Sequence, residues 1–166
     1  MSINFFTKCD IENDISSINK ILSTGIFSFK NSSHPLVKSA FIELLICLRD
    51  LMYKTEKYST RISFTDDVVI TDTIKDVTDL IKYVRDALCH LDSPNHYLVK
   101  NNIKATFNIA YGKGCIISTP DINITSDYED DVCFFFGEHK IYLTRHIIRA
   151  FNESKEKLLP LIQSNY

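Results

Sequence analysis

Hydrophobic positions along this chain follow two periods, and the change of period divides the sequence. In the first half, apolar side chains recur at steps of three and four, the spacing of one helix face. Ile11, Ile15, Ile18 and Leu22 define a first helix over residues 10–23, with Asp10 as its cap and Gly25 just past its end. Val37, Phe41, Leu44, Leu48 and Leu51 form the seam of a second helix, which starts near Ser33, accepts Pro35 in its first turn and runs to about Lys57. Ile74, Val77, Ile81, Val84, Leu88 and Leu91 mark a third. Thr73 and Asp76 make a capping-box pair at its start, and the Asp92-Ser93-Pro94-Asn95 cluster turns the chain after Leu91.

Beyond residue 100 the period becomes two. Ile103, Ala105, Phe107, Ile109 and Tyr111 alternate with more polar residues, as a strand does. Gly112-Lys113-Gly114 predicts a turn into a partner strand over residues 115–118. A second hairpin is predicted where residues 132–136 and 139–143 flank Gly137-Glu138, and Phe134-Phe135-Phe136 reads as a buried strand. Residues 121–131 between the hairpins carry acidic and no basic side chains, the pattern of a solvated loop. Ile147, Phe151, Leu158 and Ile162 predict a last helix over residues 144–163, shortened or kinked by Pro160. The expected fold is therefore mainly α. It is a four-helix up-and-down bundle forming one domain over residues 1–166, with a small β-hairpin insertion at about residues 103–143 before the last helix.

Composition narrows the function classes. With 166 residues, 45% of them hydrophobic, and only four Gly and four Pro, the chain can bury a core and is not a low-complexity segment. Nineteen basic against 21 acidic residues, a net charge of -2, exclude a broad basic surface. Any nucleic-acid contact must come from a local cluster. The five cysteines are widely spaced and form no Cys-x-x-Cys pair, which argues against a disulfide framework or zinc cluster and predicts reduced, mostly buried thiols. No apolar run is long enough to span a membrane, and the N-terminus lacks the pattern of a signal peptide. The expectation is a cytoplasmic protein without a membrane partner. His34, His139 and His146 lie on separate elements without metal-ligand spacing, and no Gly-rich phosphate loop is visible, so neither a metal nor a cofactor is expected.

Chemistry concentrates at the end of the third helix, in Arg85-Asp86-Ala87-Leu88-Cys89-His90. Five positions after Arg49, Arg61, Arg145 and Arg149 stand Lys54, Asp66, Ala150 and Ser154, so Arg85 alone is followed by a histidine at that distance. Here the sequence resembles the HEPN superfamily, which includes many metal-independent ribonucleases. Their signature is Arg, four to six residues, then His, commonly with Asn, Asp or His directly after the Arg. Arg85, Asp86 and His90 match those positions. The resemblance covers about residues 72–92 and elsewhere rests on helix order.

The resemblance implies RNA cleavage by attack of the 2′-hydroxyl on the adjacent phosphodiester, leaving a 2′,3′-cyclic phosphate. An imidazole suits proton transfer, which fits His90 as general acid or base. A guanidinium grips two phosphate oxygens and stays charged, which fits Arg85 as the group that stabilises the transition state. Asp86 would orient either partner. On an ideal helix, residues five apart differ by about 140° in direction and about 7.5 Å in rise, so one chain makes a poor two-residue site. The family's answer is a two-fold homodimer whose two motifs line one cleft. The reading extends to a toxin or phage-defence effector, with a nucleotidyltransferase-like antitoxin as a further partner. Lys82 is a candidate for the RNA backbone, Tyr83 for base stacking or the dimer interface, and His96 for positioning substrate. The alternative is a non-catalytic HEPN-like helical module that binds RNA or protein, with Arg85 an ordinary surface charge and His90 a favourable partner of the helix dipole.

Overall fold

The computed structural model describes residues 3–90, 92–98, 103–118, 120 and 123–163. Among the described residues there are four α-helices: α1 (Phe5–Ser23), α2 (Val37–Tyr58), α3 (Val77–Cys89) and α4 (Arg149–Gln163). Among the described residues no helix is long and apolar enough to cross a membrane.

The starts of α1 and α3 have a local cause, whereas α2 begins at Val37, without a side-chain cap and after Pro35, later than the expected start near Ser33. α1 starts earlier than Asp10 because the Asn4 side chain accepts from the Thr7 amide and caps it. α3 starts later than Thr73, because Asp76 is the actual cap and accepts from the Asp79 amide. Asp79 reaches back to accept from the Lys75 amide, one residue before the cap, so a variant of the capping pair lies three residues further along than the sequence suggested. Leu91, the last position of the predicted seam, lies outside the described residues. α2 is the central helix and packs against α1, α3 and α4. Its buried Val37, Phe41, Leu44, Leu48 and Leu51 are the predicted seam, widened by Leu45 and Met52.

The strand-rich region is much more than a hairpin insertion. Among the described residues seven strands follow α3: β1 (Tyr97–Leu98), β2 (Ile103–Lys104), β3 (Thr106–Tyr111), β4 (Gly114–Ser118), β5 (Asn123–Ser126), β6 (Val132–Phe136) and β7 (His139–Tyr142). They form antiparallel sheets in the orders β1-β2, β3-β6-β7 and β4-β5. The β6–β7 hairpin is the predicted one, with Phe134 opposite Ile141. The turn at Gly112 does not close a hairpin. It passes the chain from β3, which pairs with β6, to β4, which pairs with β5.

The expectation of a mainly α four-helix bundle is thus wrong: the fold is mixed α/β, with helices packed on an antiparallel sheet layer. The reason lies in β6. Phe134 and Phe136 join the helical core, where Phe41 of α2 stacks on Phe134 at 4.0 Å between ring centroids. Cys133 and Phe135 point to the other side and pack with Tyr142, Ile116 and Ile124. A strand covered on both faces loses the alternation that marks a surface hairpin. At the irregularity between Thr106 and Asn108, Phe107 takes a left-handed backbone (φ +53°), and its ring also packs on Phe41 and Phe134.

The acidic stretch is a solvated loop only in part: Asp127, Glu129 and Asp130 are exposed in a connection, and residues 121–122 lie outside the described residues. Residues 123–126 are β5, and the Asp131 side chain is 0% exposed. Asp131 accepts from the amides of Val132, Thr144 and Arg145, and from the Arg145 guanidinium at 3.0 Å. It thereby satisfies free N–H groups at the start of the π-helical stretch Leu143–Ile148 that leads into α4. Asp127 is held by Lys140 and by the Tyr142 hydroxyl. The last helix keeps Pro160 within it.

Candidate functional site

The α3 helix ends between the two residues of the motif. Its last helical residue is Cys89, and His90 is the cap, with an extended backbone (φ -120°, ψ 103°). The ideal-helix offset of 140° therefore does not govern the Arg85–His90 pair. Both residues are open to solvent: the Arg85 side chain is 36% exposed and His90 is exposed. Asp86 binds Arg85 at 2.8 Å, so the motif's carboxylate neutralises part of the charge of its own arginine.

Arg85 opens onto a groove of about 540 Å³ between α2 and α3, lined by Ile46, Arg49, Asp50, Tyr53, Arg85 and Cys89. Arg49 and Tyr53 were not among the candidates from sequence, though both stand outside the α2 seam at steps of three and four from Ile46. That spacing was the available signal. The Arg49 guanidinium lies 6.0 Å from the centre of the Tyr53 ring, and its buried Nε has no hydrogen-bond partner among the described residues. A buried donor without a partner costs about 1–3 kcal/mol. Asp50, the carboxylate in the groove, is bonded to the buried Lys54, which also holds Asp14 of α1 at 3.1 Å. Burial pushes the Asp14 carboxyl up to about 6 despite the lowering effect of Lys54, and Asp50 adds to the rise.

The other sequence candidates go elsewhere. Lys82, Tyr83 and Asp86 line a second, smaller cavity of about 240 Å³ with Thr73, Asp79 and Asn95. Lys82 is exposed, whereas Tyr83 is half-buried, packed edge-on against His139 at 4.7 Å, with its hydroxyl donating to the Asn95 carbonyl at 3.4 Å. Burial raises the Tyr83 phenol. His96 is 5% exposed and cannot meet substrate as an open loop side chain. Its Nε2 donates to the Ala87 carbonyl at 2.5 Å, one of the carbonyls left free in the last turn of α3. His96 is therefore a C-terminal cap for the motif helix. The Ala105 amide donates to the His96 carbonyl, and the Gly137 amide donates to the Ala105 carbonyl. These bonds tie the β6–β7 turn to the end of α3. Gly137 has φ +54°, and a Cβ there would sit 2.7 Å from the Asn95 carbonyl oxygen.

The thiols are less buried than expected. Cys47 and Cys133 are buried, with burial pushing both up to about 12, but Cys89 and Cys115 are exposed.

In comparisons with protein-family models, curated proteins and solved structures, the chain matches none.

Proposed function

We propose that this protein is a metal-independent endoribonuclease of HEPN type. The reading rests on one observation above others: Arg85 and His90, spaced as that signature requires, are both solvent-accessible where α3 stops. In the reaction the RNA 2′-oxygen bonds to phosphorus and gives up its proton, while the bond from phosphorus to the 5′-oxygen breaks and that oxygen takes a proton. The products are a 2′,3′-cyclic phosphate and a 5′-hydroxyl. His90 transfers protons, and Arg85 holds the phosphate oxygens as negative charge grows on them. A two-fold dimer supplies two histidines, one to accept and one to donate. Asp86 sets the orientation of Arg85. As a toxin or defence effector, the wild type arrests growth when its expression is induced.

His90→Ala tests the reading. It should abolish cleavage and growth arrest while leaving folding and dimer formation intact, and a chelator should have no effect on the wild type. Sequencing of RNA ends should find cyclic phosphates. Equal cleavage by the wild type and His90→Ala would sink the proposal.

One observation favours a non-catalytic module instead. Arg85 and Cys89 line the α2–α3 groove, but His90 does not. On that reading RNA binds and is never cut.

A further inference from the structure

Two of the chain's arginines are poorly matched by carboxylates, and both line one groove. Arg61 pairs with Glu56, Asp76 and Asp79; Arg145 with Asp130 and Asp131; Arg149 with Asp66 and Glu153. Arg85 has only Asp86, which is itself 35% exposed, and Arg49 forms no ion pair among the described residues. Beside them stands the Tyr53 ring, 52% exposed on the outer side of α2. Guanidinium groups beside an open aromatic face are the pairing that single-stranded nucleic acid requires: the guanidinium groups for the phosphates, the ring for a base.

We propose that the α2–α3 groove binds single-stranded RNA next to the cleavage point, with Arg49 a second phosphate ligand and Tyr53 a stacking platform. This rests on the ribonuclease reading for its substrate and goes beyond the Arg85–His90 motif by giving α2 a direct share in recognition. Arg49 supplies the charge that Asp86 withdraws from Arg85. Asp50 makes its ion pair with Lys54, which it shares with Asp14, and makes none with Arg49. Base stacking on Tyr53 is tolerant of sequence, so the groove selects single strands rather than a particular base.

The test is binding of a short single-stranded RNA with 2′-O-methyl riboses, which cannot be cut by 2′-hydroxyl attack. Arg49→Ala and Tyr53→Ala should each weaken binding about tenfold, and Tyr53→Phe should bind as the wild type does. Arg49→Ala should also reduce the salt dependence by about one phosphate contact. Lys20→Ala, which removes an exposed charge on α1, should change nothing. Circular dichroism and light scattering on the same variants report folding and oligomeric state. Unchanged RNA affinity in Arg49→Ala and Tyr53→Ala, or a fall that tracks loss of the dimer, overturns the proposal and identifies the groove as a protein contact. The ribonuclease reading fails separately. RNA that the wild type binds through Arg49 but never cuts removes the nuclease and keeps the groove. RNA cut equally well by Arg49→Ala keeps the nuclease and removes the groove.

Discussion

The arginines of the strand side and those of the α2–α3 groove live in opposite settings. Arg145 is held by Asp130 and Asp131 and lies over the Tyr128 ring at 3.6 Å; Arg149 is held by Asp66 and Glu153 over the Phe64 ring at 3.8 Å. Arg61 joins Glu56 to Asp76 and Asp79 at the start of α3. Every one of these guanidinium groups is spent on holding the chain together. Arg49 and Arg85 do little of that work, yet they share a groove of about 540 Å³. Charge that does not stabilise the fold is charge left for a ligand, and the comparison separates the two uses without reference to the motif.

The largest effect that could break the comparison is catalytic. His90→Ala and Arg85→Ala should lower RNA cleavage by about 10²–10⁴-fold. Their urea unfolding free energies should stay within about 0.5 kcal/mol of the wild type. A large stability loss in Arg85→Ala would place it with the structural arginines.

Asp131→Ala should show the reverse. Losing three amide bonds and the Arg145 pair should cost about 2–4 kcal/mol in urea unfolding, with cleavage retained in the folded fraction. Arg61→Ala should cost about 1–3 kcal/mol, because it leaves Asp76 buried without its guanidinium partner.

The smallest effect is in pH, and its sign differs between the regions. His146 on the strand side accepts the Tyr142 amide at Nδ1 and donates Nε2 to the Asp66 carbonyl, and burial lowers its pKa below the ordinary 6.5. Its contribution is present above pH 6.5 and is lost as the pH falls below that value, since the unfolded chain takes the proton first. Asp14 behind the groove has its folded value raised to about 6 from 3.8. Its contribution is full below 3.8 and is lost as the pH rises through about 6. Urea midpoints measured from pH 8 to 4 should therefore lose part of their acid decline in His146→Gln and decline more steeply in Asp14→Asn.

The helical half was legible in the sequence because its determinants are local. The seam from Val37 to Leu51 and the step pattern from Val77 to Leu88 are set by neighbours three and four residues away. The sheet was not. β3 pairs with β6 across the intervening β4–β5 pair, and no turn signal encodes a partner that far along the chain. Phe134-Phe135-Phe136 was rightly read as a buried strand, but its hydrophobicity did not say that helices cover one face and strands the other. At the candidate site, the motif points to Arg85, Asp86 and His90. It points neither to Arg49, which forms no ion pair among the described residues, nor to the burial of His96, which follows from a turn folding back under α3.

The bonded path from Gly137 through Ala105 and His96 to Ala87 makes the end of α3 answerable to the sheet. The turn that carries His90 is then part of the cooperative unit that contains β6 and β7, rather than a frayed helix terminus. Amide hydrogen exchange would register this as protection at His96 and Ala105 that is lost together with protection in the β6–β7 hairpin. A side chain introduced at position 137 would press on the Asn95 carbonyl and loosen the motif turn from its β6–β7 side, without any change in α3 itself.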